Sequence, residues 1–186
     1  MTKPDHLTHL RGNLLVEKDD PVIAFRGKLD TLCAAILEAQ LLGQQMETPA
    51  FVADLREILD FTRSILPAEY KERPMGEFRL LGLTASELRE RCRHPERHLG
   101  RRHLLADMDM GALSLRLNLL RTLAREAEIA AVAAFRPPSP YPDSHRPTPN
   151  PRPDIIEALN GLSSLLYVLT YKYLPAGYCA KGDPGI

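Results

Sequence analysis

The stretch Asn118–Ile129, N-L-L-R-T-L-A-R-E-A-E-I, decides the reading of this 186-residue chain. It lies in a run from about Met110 to Phe135 that has no proline and only Gly111 as a helix breaker. Leu113, Leu117, Leu120, Ala124, Ala127, Ala131 and Ala134 recur at steps of three and four, the period of one apolar face on a long helix. Asn118, Arg121, Arg125 and Glu128 recur at the same steps and form a polar stripe. Two arginines at i, i+4 repel by about 0.2–0.5 kcal/mol on a bare helix. Such a pair is easily kept on a solvated face, and is useful where an anion sits between the two cations.

Around that helix the chain punctuates itself. Residues 1–17 are polar and without clear period, so they are expected to form an N-terminal arm. Lys18-Asp19-Asp20-Pro21 is a helix start, with an Asp N-cap and Pro in the first turn. The first long helix is expected to reach about Gln45, where Gly43 and Glu47-Thr48-Pro49 end it and open the next. The second, roughly Pro49 to Ile65, carries Phe51, Leu55, Ile58, Leu59 and Thr62 on one side. Thr84-Ala85-Ser86-Glu87 is a capping box for a short helix to about Cys92. The segment Arg91–His103 holds five arginines against one acid.

Half of the 16 prolines fall between Pro137 and Pro153, marking 136–153 as an extended tether. A last helix is expected from about Pro153 to Leu174, then a frayed tail over 175–186. There are no internal repeats and no convincing strands. The fold expected is therefore all-α, an up-and-down bundle of four or five helices forming a single domain over 18–174.

Whole-chain totals narrow the function classes. Lys and Arg balance Asp and Glu at 24 each, which argues against non-specific binding to nucleic acid or membrane. Cys33, Cys92 and Cys179 are odd in number and far apart, as free thiols in a reducing cytosol would be. The apolar stretch Leu162–Tyr171 is too short to span a bilayer, and the N-terminus lacks a signal-peptide core. A cytoplasmic protein is expected.

Three clusters carry the chemistry: Lys18–Asp20 with Arg26–Asp30, Arg121–Glu128, and Asn160-Gly161-Leu162-Ser163-Ser164. In this order they resemble the cobalamin adenosyltransferase family. Val16-Glu17-Lys18-Asp19-Asp20-Pro21-Val22-Ile23 is similar to its V-x-K-D-D-P-R-V pattern. Gly27–Cys33 is similar to G-T-x-D-E-L-N, Arg121–Ile129 to R-T-x-x-R-R-A-E-R, and Leu159–Tyr167 to L-N-R-L-S-D-x-L-F. The ethanolamine-utilisation branch is closer still, with L-T-H-L at Leu7–Leu10, F-R-x-x-L-D at Phe25–Asp30, L-N-L-L-R-T at Leu117–Thr122 and A-L-N-x-L-S-S at Ala158–Ser164.

That resemblance implies transfer of the adenosyl group from ATP, with Mg²⁺, to cob(I)alamin, and release of triphosphate. It implies that Lys18 and Arg125 hold ATP phosphates and that Asn160 and Glu128 belong to the nucleotide site. Arg26, kept in the ethanolamine-type pattern, would be a further phosphate ligand. Asp30 and Arg121 match a pair that bridges subunits, since the family is a homotrimer with sites between protomers. An adenosylcobalamin-dependent lyase or dehydratase would receive the product, in the cytoplasm or within a microcompartment.

The departures are specific. The family's glycine-rich loop T-K-x-G-D-x-G-x-T is reduced to Thr2-Lys3-Pro4-Asp5. Glu126, Ile129 and Cys33 stand where the patterns have Arg, Arg and Asn. The corrin-facing F-I-L-P-G-G corresponds to His103-Leu104-Leu105-Ala106, without the Phe, leaving His103 or a leucine to face the lower side of the corrin. Longer members of the branch carry a Cys-rich metal motif ahead of the matched segment, and no metal site of that kind is expected here. Cys92, His94, His98 and His103 form no convincing metal set, because Pro95 breaks their helical geometry. A non-catalytic adenosylcobalamin or nucleotide holder on the same bundle is the alternative reading; a scaffold without ligand would leave the Arg–Arg–Glu–Asn set unexplained.

Overall fold

The computed structural model describes residues 4–137 and 151–179. Four long helices form the bundle: α1 (Pro21–Gln45), α2 (Pro49–Tyr70), α5 (Gly111–Ala134) and α6 (Pro153–Lys172). Two short helices, α3 (Ala85–Arg93) and α4 (Pro95–Leu99), lie in the connection between α2 and α5. Two small antiparallel hairpins complete it: β1 (Leu7–Arg11) with β2 (Leu14–Glu17), and β3 (Arg79–Leu80) with β4 (Leu83–Thr84).

The helix starts follow the local chemistry. Asp20 accepts from the Val22 N–H ahead of Pro21, and Thr84 with Glu87 makes a reciprocal capping box. Two short hairpins form where no strands are expected, and the arm, the second helix and the tail also differ from expectation. The arm at 1–17 is a hairpin over Leu7–Glu17, and α2 continues past Ile65 to Tyr70 through Pro67. Pro67 removes the N–H that would bond the Arg63 carbonyl. Both residues are exposed, so water can take that carbonyl and the helix is not forced to stop.

Cross-helix contacts fix the directions. Lys28 meets Glu126 at 2.8 Å and Glu38 meets Arg116 at 3.5 Å, so ten residues forward in α1 match ten back in α5. Glu128 meets Asn160, and the Ser114 hydroxyl donates to the Thr170 carbonyl, so α5 and α6 are also antiparallel. Lys172 on Asp54 and Arg152 on the Ala68 carbonyl make α2 and α6 antiparallel. The ring order is thus α1–α2–α6–α5, every neighbour antiparallel, with a crossover over residues 71–110 returning the chain to the end where α5 begins.

That crossover fills the α2–α6 groove. The Leu81 N–H donates to Glu57 of α2 at 2.7 Å, and Phe78 stacks edge-on against Phe61 at 5.2 Å. Phe78 also lies over Gly161 of α6, where a Cβ would come within 2.7 Å of its ring. The family pattern has Arg at this position; here only glycine leaves room. Gly161→Ala is expected to destabilise the fold by about 1–3 kcal/mol through overpacking. A chemical denaturation series checks this, with Phe78→Leu in the same chain recovering part of the loss.

The core divides along the bundle. Phe25, Leu29, Ile65, Ala127, Ala131, Ile155 and Leu159 form the layer at the α1 N-terminal end. A larger cluster, including Leu32, Ile36, Leu55, Leu117, Leu120, Leu162 and Leu166, fills the rest. The tail does not fray at Pro175: Tyr178 is buried, donates its hydroxyl to Asp107 at 3.0 Å and accepts Arg101 on its carbonyl at 2.8 Å. Residues 138–150 of the tether and 180–186 of the tail lie outside the described residues. No helix among the described residues is long and apolar enough to cross a membrane.

Candidate functional site

The polar stripe of α5 flanks its buried row, on the side turned to α6. Arg121 Nε donates to Asn118 Oδ1 at 3.1 Å within the stripe. One turn on, Arg125 is exposed and has no partner among the described residues. Glu128 accepts from Asn160 Nδ2 at 3.1 Å, joining the stripe to α6. Arg125, Glu128 and Asn160 therefore meet on the outer groove between α5 and α6, with a free guanidinium beside a carboxylate–amide pair.

Further along the same groove lies an aromatic cluster. Tyr167 follows Asn160 by seven residues on one face of α6, about 10 Å along the axis at 1.5 Å per residue. Its hydroxyl lies 2.8 Å from His103 Nδ1 and 2.5 Å from the Tyr171 hydroxyl. Tyr171 in turn donates to the Arg102 carbonyl at 3.1 Å. Burial pushes the Tyr167 phenol up, and the Tyr171 hydroxyl pushes it further; burial also raises Tyr171. Both rings stay neutral at physiological pH and hold the loop carrying His103 against α6 as hydrogen-bonding phenols.

The remaining expected residues lie elsewhere on the molecule. Asp30 sits on the α1–α2 side, beside Cys33, Arg63 and Leu66, exposed and with no partner among the described residues. The ring order puts this side opposite the α5–α6 groove, so Asp30 and Arg121 do not meet within one chain. Lys18, at the start of α1, is exposed, its backbone N–H bonded to the His6 carbonyl at 2.9 Å.

Arg26, expected as a phosphate ligand, has its three guanidinium nitrogens engaged. Nε and Nη2 donate to Glu69 at 2.9 and 3.2 Å, and Nη1 donates to the Leu10 carbonyl at 2.8 Å. Glu69 is 1% exposed and also binds Arg11 at 3.1 Å, while Arg11 pairs with Glu72 as well. The cluster fastens the β1–β2 hairpin to α1 and α2. Sequence reading missed Glu69, although a signal exists: it continues the buried row Phe51, Leu55, Ile58, Thr62, Ile65 with a carboxylate. No cluster of three or more His, Cys, Asp or Glu suited to a metal ion occurs among the described residues.

Comparison with known proteins identifies the family. Corrinoid adenosyltransferase EutT of Escherichia coli (strain K12) is 35% identical over 167 residues, covering 90% of this chain and 58% of the relative. Corrinoid adenosyltransferase EutT of Salmonella typhimurium (strain LT2) is also 35% identical, with the same coverage. The chain thus spans just under three-fifths of the length of these relatives. No solved structure matches. The family model for cobalamin adenosyltransferase matches residues 1–173, a span that takes in the β1–β2 hairpin and all four bundle helices. The chain that carries this bundle belongs to the cobalamin adenosyltransferase family.

Proposed function

We propose that this chain is an ATP-dependent corrinoid adenosyltransferase, acting in ethanolamine utilisation. The cobalt(I) of reduced cobalamin attacks the ribose C5′ of ATP with its electron pair. A cobalt–carbon bond forms, the C5′–oxygen bond breaks, and inorganic triphosphate leaves with that bond's electrons. The observation that carries this reading is the exposed Arg125, without a partner among the described residues, beside the Glu128–Asn160 pair in the α5–α6 groove.

The corrinoid supplies the nucleophile, so the chain's work is placement and charge. Arg125 of one protomer and Lys18 of its neighbour, which lie apart within one chain, hold the triphosphate and meet the charge that builds on it as it departs. Asn160, oriented by Glu128, hydrogen-bonds the nucleoside. Arg26 serves this site from a distance, by holding the hairpin that leads into Lys18. Mg²⁺ fits as a chelate brought in on the triphosphate, since the described residues offer no carboxylate cluster of their own for it. His103, with Tyr167 and Tyr171, faces the lower side of the corrin in place of the family's Phe.

The separation of Asp30 from Arg121 supports a site between protomers of a homotrimer, where Asp30 of one subunit meets Arg121 of the next. Asp30→Arg and Arg121→Asp alone are each expected to lose both trimer, read by sedimentation velocity, and turnover. The double variant, which restores the pair with charges exchanged, recovers both. A fully active single variant in monomeric form would defeat the shared site. Product would pass to an adenosylcobalamin-dependent lyase, in the cytoplasm or inside a microcompartment.

The alternative is a bundle that holds adenosylcobalamin without making it. It is favoured by the reduction of the wider family's glycine-rich loop to Thr2-Lys3-Pro4-Asp5 and by His103 standing where that family has Phe. One anaerobic assay separates the two: protein, ATP, Mg²⁺ and chemically reduced cobalamin are mixed and the cobalt(I) absorption followed. Its ATP-dependent loss with formation of adenosylcobalamin is the result expected. Tight adenosylcobalamin binding without any transfer would establish the holder.

A further inference from the structure

Beyond His103 the crossover forms a pocket of about 470 Å³, lined by Arg93, His94, Glu96, Arg97, Arg102 and His103. Its charge is lopsided in a chain whose totals balance. Arg102 Nε donates to Glu96 at 2.8 Å, so the pocket's one acid is already matched. Arg93 and Arg97 are exposed and form no ion pair among the described residues. Two uncompensated guanidiniums at one concave site, with imidazoles beside them, are the chemistry that recognises a phosphate.

Position says which phosphate. The pocket meets the α5–α6 groove through His103, which contacts Tyr167 at 2.8 Å. Tyr167 is itself about 10 Å along α6 from Asn160, and the pocket reaches the groove at that level, through His103. A triphosphate gripped at Arg125 is therefore not its natural occupant. Cobalamin presents its reacting cobalt to ATP on one face of the ring and hangs a nucleotide tail, joined through a phosphodiester, from the other. A subsite for that tail must lie away from the ATP residues, past whatever group faces the lower side of the ring.

We propose that this pocket binds the phosphodiester of the corrinoid's nucleotide tail, with Arg93 and Arg97 as its ligands. The inference rests on the adenosyltransferase reading above and adds to it a means of distinguishing complete corrinoids from truncated ones. Held there, the tail is kept clear of the lower face of the cobalt. The arginines touch no reacting atom, so they bear on corrinoid affinity and not on the transfer step.

Cobinamide, which has the same ring without the nucleotide and its phosphodiester, gives the test. In the full chain, Arg93→Gln with Arg97→Gln is expected to raise the KM for cob(I)alamin about tenfold. The KM for cobinamide, the KM for ATP and kcat should all stay within about twofold, the ordinary spread of a surface substitution. Equilibrium binding of the two corrinoids in the cobalt(II) state should show the same split, and circular dichroism should show an unchanged fold. An equal rise for both corrinoids, a rise in the ATP KM, or no rise at all would overturn the subsite. A wild-type chain that binds neither corrinoid would instead overturn the function itself, and the subsite with it.

Discussion

Arg125→Ala is expected to lower ATP-dependent adenosylcobalamin formation by roughly a hundred- to a thousandfold, the usual cost of deleting one fixed donor to developing charge. The same substitution should leave folding almost untouched. Arg125 is exposed, makes no contact that the bundle uses and sits on a helix where Ala is the better former. It also stands one turn from Arg121, so its removal relieves a small like-charge repulsion. The melting temperature is therefore expected to stay level or rise slightly while turnover collapses. Arg125→Lys separates charge from shape: it keeps the cation and loses the bidentate fork, so it should recover part of the rate. Stopped-flow loss of cobalt(I) absorption at saturating ATP reads the effect. Full turnover by the Ala variant would remove Arg125 from the site and leave it a solvated surface cation.

The contrast between Arg125 and its neighbours explains what the sequence could and could not disclose. Periodicity locates α5 and its two faces, because apolar spacing is a local property of the helix. The starts of α1 and α3 were equally legible, since Asp20-Pro21 and Thr84–Glu87 cap them through contacts within a few residues. The β1–β2 hairpin was not. Its burial does not alternate, and what fixes it is Arg11 reaching Glu69, 58 residues away. The partners of Arg26 were hidden for the same reason. Pairing of Asp30 with Arg121 came from the family resemblance, yet only the ring order of helices places them on opposite sides of one chain. Gly161, which departs from the family's Arg, finds its cause in Phe78, brought over from the crossover.

The second large effect falls on stability. Glu69→Ala is expected to destabilise the chain by about 3 kcal/mol, at the lower end for breaking a buried ion pair by removing one partner. Glu69 is 1% exposed, but Arg26 and Arg11 are 17% and 35% exposed, so part of their lost pairing can be made up by water. At about 2–4 °C per kcal/mol for a chain of this size, the melting temperature should fall by roughly 6–12 °C. The β1–β2 hairpin should loosen first, because Arg11 reaches α2 through Glu69 and Glu72 and Arg26 holds the Leu10 carbonyl. Amide exchange across Leu7–Glu17 should then rise well before the bundle unfolds. Glu69→Gln keeps an acceptor for Arg26 and should lose less. The same pair of variants also assigns Arg26: if it acts through the hairpin, Arg26→Ala and Glu69→Ala should raise the KM for ATP alike, through a displaced Lys18. If Arg26 itself grips phosphate, Arg26→Ala alone should lose ATP binding while Glu69→Ala, which frees the guanidinium, should not.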